Sequence, residues 1–393
     1  MSDRLKYEKR GVSASKQDVH QAIQGIDKGL YPNAFCKILP DYIANDSEYC
    51  NIMHSDTAGT KTSLAYMYYK ETGDITVWKG VAQDALVMNI DDMACVGAVD
   101  NIIVSSTIGR NKSLIGGEVI KELIHFFDGF QKRMADHGIH IHLAGGETAD
   151  VGDIVRTIDV GYTTFARMKK SDLIVNDITG GEVIVGFASY GQASYEDEYN
   201  SGMGSNGLTS ARHDILAKLY KSKYPDSVDP NVDSEYQYTG SKQLTDTINI
   251  DGKDMTIGKL ILSPTRTYMP LIKPMIDGHA SAIKGMIHCT GGGQSKVLKF
   301  VDGVKIVKNN LLALPPLFQL IEEESGLPRE EMYQVFNMGH RLEVFTDADT
   351  AHELIRLSES LNIDAQIIGY VEKADEKSVE ITDEKGSYTL KDE

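Results

Sequence analysis

The sequence predicts two domains, an α/β domain over residues 1–170 and an α+β domain over residues 171–393. Three observations carry this. In the first half, short β-branched runs alternate with helical-period segments, the pattern of a sheet covered by helices. A polar, turn-rich stretch, ARMKKSDLIVNDITGGE, then precedes the apolar GGEVIVGFAS and marks a seam. Strands and helices resume beyond it with no fixed-period repeat.

The elements follow in order. DSEYCNIMHSD predicts a strand ending at Asp56, and GVAQDALVMNIDDMACVGA a helix with small and apolar residues packed closely. NIIVSSTI is β-branched and reads as a strand. Ile115, Val119, Leu123, Phe126, Phe130 and Met134 fall at helical intervals, and His137 with Gly138 stops the run. IHIHL leads as a strand into AGGETAD, and TIDVGYTTFAR supplies another. Past the seam, helices are predicted over LTSARHDILAKLYKSK, PTRTYMPLIKPMIDGHASAI and ADTAHELIRLSESL, with strands at RLEVFT and AQIIGYVEK. The stretch from Tyr224 to Asp254 carries few apolar anchors and reads as an inserted loop or hairpin. SVEITDEKGSYTLKD alternates around a turn, as a terminal hairpin does.

Composition narrows the function. The chain has 393 residues, 41% apolar and 25% charged, with 40 basic against 57 acidic side chains and a net charge of −17. No stretch approaches the roughly 20 apolar residues of a membrane helix, and the amino end, MSDRLKYEKRGVSASKQD, is polar where a secretory signal is apolar. A cytoplasmic protein without membrane contact is expected. The acidic balance argues against a nucleic-acid surface, which needs a basic face. It does not exclude small anionic substrates, because a local pocket can oppose the global charge. Cys36, Cys50, Cys95 and Cys289 lack metal-ligand spacing and are expected to be reduced, packed thiols.

Four segments carry chemistry. Ser55–Thr62, S-D-T-A-G-T-K-T, sets the acid Asp56 at a strand end before Gly59, Thr60 and Lys61. A metal-binding carboxylate, open backbone N–H groups and a cation for phosphate are thereby offered together. Thr60 separates Gly59 from Lys61, so this is not a P-loop. Asp91-Asp92 stands inside an apolar helix where neighbours point about 100° apart. At most one is expected to face the core, and Asp92 fits a cation-binding role better. Ala144–Asp150, A-G-G-E-T-A-D, bends at its glycines, including Gly146, and projects Glu147 and Thr148 where open sheets bind ligands.

The fourth group lies in the second half: Gly202–Gly207 (G-M-G-S-N-G), Pro264–Tyr268 (P-T-R-T-Y) and His288–Gly293 (H-C-T-G-G-G). The first formally matches a dinucleotide fingerprint but has neither the preceding strand nor the later acid, which leaves a glycine turn at a helix start, a natural anion site. Arg266 is placed to pair bidentately with phosphate. His288 stands directly before the second glycine turn, and His340 with Arg341 follows F-N-M-G in a similar way. His140 and His142 alternate on one strand without a third ligand and read as ordinary histidines.

Taken in order, these segments resemble the phosphoribosylformylglycinamidine cyclo-ligase (aminoimidazole ribonucleotide synthetase) family over nearly the full chain. Y-E-K-R-G-V (Tyr7–Val12), S-D-T-A-G-T-K-T, N-I-D-D-M, G-G-E-T-A-D, S-N-G, S-P-T-R-T-Y, H-C-T-G-G-G and E-M-Y-Q-V-F-N-M-G (Glu331–Gly339) appear in the family's order. The resemblance implies an amino-terminal ATP-binding and dimerisation domain whose sheet forms a barrel across a homodimer, and a carboxy-terminal domain closing over substrate. It implies ATP-dependent cyclisation of formylglycinamidine ribonucleotide to aminoimidazole ribonucleotide, in purine biosynthesis. Mg2+ on the ATP phosphates would be held by Asp56, Asp92 and Glu147, with Gly59, Thr60, Gly146 and Thr148 beside them. Lys61 would offset phosphate charge and His288 would serve in catalysis. Ser205, Asn206, Gly207, Thr290, Gly291, Gly292 and Gly293 would line the substrate side, with Arg266 anchoring the ribose phosphate. A superfamily small-molecule kinase and a catalytically silent subunit are the competing readings.

Four departures stand out. Thr57 takes a position where the family prefers glycine, and Asp91 stands where it has asparagine. Gly204 replaces the histidine that commonly precedes Ser-Asn-Gly, after an extra segment A-S-Y-E-D-E-Y-N-S-G-M. The pattern F-N-C-G-V-G becomes F-N-M-G-H-R.

Overall fold

The computed structural model describes residues 7–12 and 21–391, so most of the polar amino-end segment, residues 1–6 and 13–20, lies outside the described residues. The first sheet comprises β1 (Ile38–Pro40), β2 (Tyr49–Thr57), β3 (Ile102–Arg110), β4 (Ile141–Asp150) and β5 (Ile158–Lys169), in the order β1-β2-β5-β3-β4. Only β3 and β4 pair in parallel. One face is covered by α1 (Lys61–Thr72), α2 (Val77–Ala94) and α3 (Gly117–Ala135).

Packing explains these choices. In α3 the buried positions are Val119, Leu123, Phe127, Phe130 and Met134, a stripe at helical spacing; Phe127 takes the core position expected of Phe126. Helix α2 is buried almost all round, from Trp78 to Ala94, because the sheet lies on one side and the second domain on the other. Among the described residues nothing covers the opposite sheet face, where Met53 and Ile103 are exposed.

The second sheet contains β6 (Val183–Ala188), β11 (Gly285–His288), β12 (Val304–Lys308), β13 (His340–Thr346), β14 (Ala365–Lys373), β15 (Ser378–Asp383) and β16 (Gly386–Leu390). Their order is β11-β13-β6-β14-β12-β15-β16, with β12 and β15 parallel and β15–β16 the terminal hairpin. Two small hairpins stand apart, β7 (Tyr190–Gly191) with β8 (Asn200–Ser201), and β9 (Thr247–Ile250) with β10 (Lys253–Thr256). The helices are α4 (Leu208–Ile215), α5 (Leu219–Lys223), α6 (Ile257–Leu262), α7 (Met269–His279), α8 (Pro316–Ser325), α9 (Arg329–Val335) and α10 (Ala348–Ser360).

Two expected helices differ. The run after Gly207 breaks between α4 and α5, where Leu216 turns extended and bridges to Lys242. The helix expected from Pro264 begins only at Met269, because Thr265–Tyr268 lies non-helical against α2. All four cysteines are buried and unbridged. No helix among the described residues is long and apolar enough to cross a membrane.

Candidate active site

Helix α2 is the floor of the site. Asp84 lies two turns before the pair Asp91 and Asp92; Asp84 and Asp91 both receive the Thr265–Tyr268 stretch, and Asp92 receives two histidines. Asp84 Oδ1 accepts from Lys61 Nζ at 2.8 Å, from Thr265 N–H at 2.7 Å and from the Thr265 hydroxyl at 2.6 Å. Asp91 accepts from the Thr267 hydroxyl at 2.6 Å and Tyr268 N–H at 2.8 Å. Asp92 meets His288 Nδ1 at 2.7 Å and His54 Nε2 at 3.4 Å. Both Asp91 and Asp92 are buried, contrary to the expectation that only one would be. Thr267, Tyr268 and His288 of the second domain, with His54 of β2, supply the donors that make this tolerable.

Their electrostatics differ with their partners. Burial pushes the Asp91 and Asp84 carboxyls up despite those bonds. Burial pushes Asp92 up too, but bonds from His288 and His54 outweigh it and hold it well below the usual carboxylate range. His54 is raised: burial works against its charge, and the Asp92 bond and charge overcome that. Its Nδ1 faces Asn89 Oδ1 at 3.0 Å, while Asn89 Nδ2 donates to Ala85 O at 2.8 Å, so both ring nitrogens face oxygens. His54 was not singled out from the sequence, although it sits two residues before Asp56 and therefore on the same face of β2.

The acids expected to share a metal are not gathered. Asp56 lies in the cross-strand row with Tyr162, Ser106 and Gly146, toward the helices, whereas Glu147 lies in the next row with Thr107, Gly161 and Thr57. Alternate rows face opposite sides of a sheet, and three strand spacings separate β2 from β4, about 14 Å. Asp92 is committed to two histidines. Within one chain these residues do not fit a common metal, and among the described residues no cluster of His, Cys, Asp and Glu does. Gly146 is needed where it stands, because a side chain would strike Ser106 on β3. Glu147 and Thr148 are exposed on the sheet edge.

Two predicted cations are placed elsewhere. Lys61 is fully buried, with Nζ on Asp84 and 2.5 Å from Ser263 O, and does not face the Gly59–Thr60 turn. Burial lowers its pKa in spite of Asp84. Arg266 is saturated: it donates to both Glu196 oxygens, to Ala188 O at 2.9 Å, to Tyr190 O at 2.8 Å and to Gly191 O at 3.1 Å. It fastens the extra Ala193–Met203 segment and has no donor left for a ribose phosphate. His288 also differs from its expected catalytic part. It is buried, with Nδ1 on Asp92 and Nε2 accepting from Arg341 Nε at 3.1 Å, so it positions its neighbours.

The glycine segments do converge. Gly291, Gly292 and Gly293 all adopt positive φ, which explains three successive glycines. Gly291 packs against Asn206, its Cβ position 3.6 Å from Asn206 Oδ1. Gly207 leaves no room for a side chain beside Phe336. Asn337 donates to Gly202 O at 2.8 Å and its carbonyl accepts from Gln294 at 2.6 Å, so the F-N-M-G segment holds both glycine loops. Thr290 is buried at the base of one loop and Ser205 with Asn206 half-buried at the other. The Thr60 hydroxyl lies 2.6 Å from that of Thr209 in α4, which sets the Asp56–Thr60 turn beside Ser205–Gly207.

Known proteins show the same organisation. Residues 38–168 match the AIR synthase related protein N-terminal domain, and residues 179–382 the corresponding C-terminal domain. The phosphoribosylformylglycinamidine cyclo-ligases of Methanocaldococcus jannaschii and Methanococcus vannielii are 29% and 30% identical. The alignments cover 82% and 83% of this chain and 79% and 78% of theirs. Among solved structures, AaThiL complexed with AMPPCP and TMP has a TM-score of 0.55 at 11% identity, with 99% of each chain covered. The HypE–HypF complex also gives 0.55, at 15% identity, over 95% of this chain and 99% of that one. T. maritima PurL complexed with ADP gives 0.54 at 10% identity, and this chain covers 48% of its length. These structures share the fold, and the sequence matches decide the family: the chain belongs to the AIR synthase related proteins.

Proposed function

We propose that this chain is an ATP-dependent cyclo-ligase that closes the imidazole ring of aminoimidazole ribonucleotide from formylglycinamidine ribonucleotide, a step of purine biosynthesis carried out in the cytoplasm. One observation carries the reading. The Asp56–Thr60 turn and the Ser205–Gly207 loop are neighbours through Thr60 and Thr209, so a phosphoryl donor and an acceptor held by them would meet. The relatives named cyclo-ligase cover most of the chain.

The formyl amide oxygen takes the γ-phosphoryl group as the bond to ADP breaks. The amidine nitrogen then attacks the activated carbon, the carbon–oxygen bond breaks, and inorganic phosphate and one proton leave. In this reading the open turn at Gly59, with positive φ, and Thr60 receive the triphosphate. Ser205–Gly207 and Thr290–Gly293 orient the ribonucleotide, and Asp92 fixes His288 at the mouth of the second loop. Proximity is the main contribution such loops make to phosphoryl transfer. Magnesium accompanying ATP finds no common site at Asp56, Asp92 and Glu147 within one chain, and no step is assigned to it.

A homodimer is part of the proposal. Met53, Phe165 and Ile103 line one row across the uncovered sheet face, and a second copy would bury it. The deciding assay incubates purified protein with ATP, magnesium and formylglycinamidine ribonucleotide and follows aminoimidazole ribonucleotide. Stoichiometric ADP and product support the reading. ATP consumption with a stably phosphorylated acceptor and no imidazole would indicate a kinase, and no consumption a silent subunit.

A further inference from the structure

We propose that Arg341 and Ser205 form an anion-binding corner that takes the phosphate monoester of the substrate; this rests on the reading above for the identity of that substrate. Two arginines are fully buried beside the glycine loops. Arg266 has every donor satisfied by protein oxygens. Arg341 does not. Its Nε donates to His288 and its Nη2 to Arg266 O at 2.6 Å, its guanidinium lies 5.5 Å from the Tyr268 ring centre, and Nη1 has no hydrogen-bond partner among the described residues. The residue is only 2% exposed. A guanidinium buried with a spare donor carries a desolvation cost that an anionic oxygen would offset.

The spare donor lies against the turn at Gly204. Nη1 lies 3.3 Å from where a Cβ would stand on Gly204, which has φ +66, so only glycine leaves this space open. The next residue, Ser205, has a buried hydroxyl that also lacks a hydrogen-bond partner among the described residues. One unpartnered group thus stands beside Gly204 and another on the next residue, in the turn immediately before the start of α4. The sequence departures match this geometry. Gly204 stands where the resembled family has histidine, and Arg341 where it has glycine, so this chain brings its cation from β13 on the facing side.

Ser205 makes the proposal separable from a structural role. Ser205→Ala removes no hydrogen bond, so a merely structural hydroxyl predicts unchanged or slightly raised stability and unchanged binding. The test is isothermal titration of the purified protein and of Ser205→Ala, Arg341→Met and Arg341→Lys with ribose 5-phosphate, with ATP titrated in parallel. We expect the parent to bind ribose 5-phosphate, Arg341→Met to weaken it about tenfold or more, and Ser205→Ala several-fold, with Arg341→Lys between. ATP affinity should stay constant in Ser205→Ala, and KM for the ribonucleotide should rise with little change in KM for ATP. Equal ribose 5-phosphate binding by the parent and Ser205→Ala, no binding by the parent, or a loss confined to ATP would each overturn the assignment. Binding that follows this order in a protein making no aminoimidazole ribonucleotide would sustain the phosphate site and overturn the reaction.

Discussion

Lys61 offers the sharpest separation of structure from chemistry. Its ammonium is fully buried and joined to Asp84 at 2.8 Å and to Ser263 O at 2.5 Å, so it ties α1 to α2 and to the second domain. Removing one member of a buried pair costs about 3–5 kcal/mol, because the other charge is left uncompensated. Lys61→Met should lose that much. Lys61→Met/Asp84→Asn should recover most of it, since the amide oxygen introduced by Asp84→Asn still accepts from Thr265, leaving about 1 kcal/mol for the stranded Ser263 carbonyl. Trp78 is the single tryptophan, lies in α2 six residues before Asp84 and is fully buried, so its fluorescence reports urea unfolding of this region. The double variant should also turn over within a few-fold of the parent. A stable Lys61→Met protein with turnover abolished in both variants would refute the structural reading and return the lysine to the phosphates.

Other consequences follow from neighbouring groups. Asp92→Asn keeps the shape but removes the carboxylate that orients His288 and His54, and steady-state turnover should fall about 100-fold. Unchanged turnover would show that this pair does not position the loop. His213 is held down to about 2 by burial, then by the charges of Arg212 and Arg10, while its Nδ1 accepts from Tyr238 N–H. The unfolded chain therefore binds a proton below pH 6.5 that the native state refuses, and stability drops as pH falls from there toward 2. His213→Asn should remove up to about 1.4 kcal/mol per pH unit of that dependence in urea midpoints measured between pH 6.5 and 4.5. Ile103→Glu on the uncovered sheet face should convert a dimer to monomer in sedimentation equilibrium; a monomeric parent would remove the dimer from the proposal. Asp91, raised by burial, costs stability as pH rises through its native pKa, so Asp91→Asn should gain on the parent between pH 4 and pH 8. A shift in the opposite direction would contradict that sign.

Element order was legible because periodicity survives packing. The run from Val119 to Met134 buries the residues its spacing assigns except Phe126, whose place Phe127 takes, and the β-branched run around Val104 is a strand. The extended stretch Thr265–Tyr268 was not, because what holds it straight is Asp84 and Asp91, 181 and 177 residues away. Convergence of the glycine loops was legible as motif order, whereas the roles of Lys61 and Arg266 were not. A lysine after a strand turn and an arginine in a Pro-Thr-Arg segment look the same in sequence whether they face phosphate or carboxylate. The choice was made by Asp84 and by Glu196, the latter inside a segment whose contact surface the sequence left undefined.

Helix α2 also reframes the net charge of −17. An acid in an apolar helix suggests a cation because its burial needs compensation, yet a compensating donor need not be a metal. At Asp84 it is a lysine with a backbone N–H and a hydroxyl. At Asp91 it is a hydroxyl and a backbone N–H, and at Asp92 two histidines. Thr265, Thr267 and Tyr268, from one extended stretch, and His288 belong to the second domain, whereas Lys61 and His54 belong to the first. These acids therefore lock the second domain onto the first, and they consume cations and N–H groups that a polyanion would otherwise use. What remains for anions near the glycine loops is the polar groups that α2 does not claim. Arg341 Nη1 and the Ser205 hydroxyl are the two such groups left without a partner there among the described residues. They mark the place where a negatively charged ligand gains most.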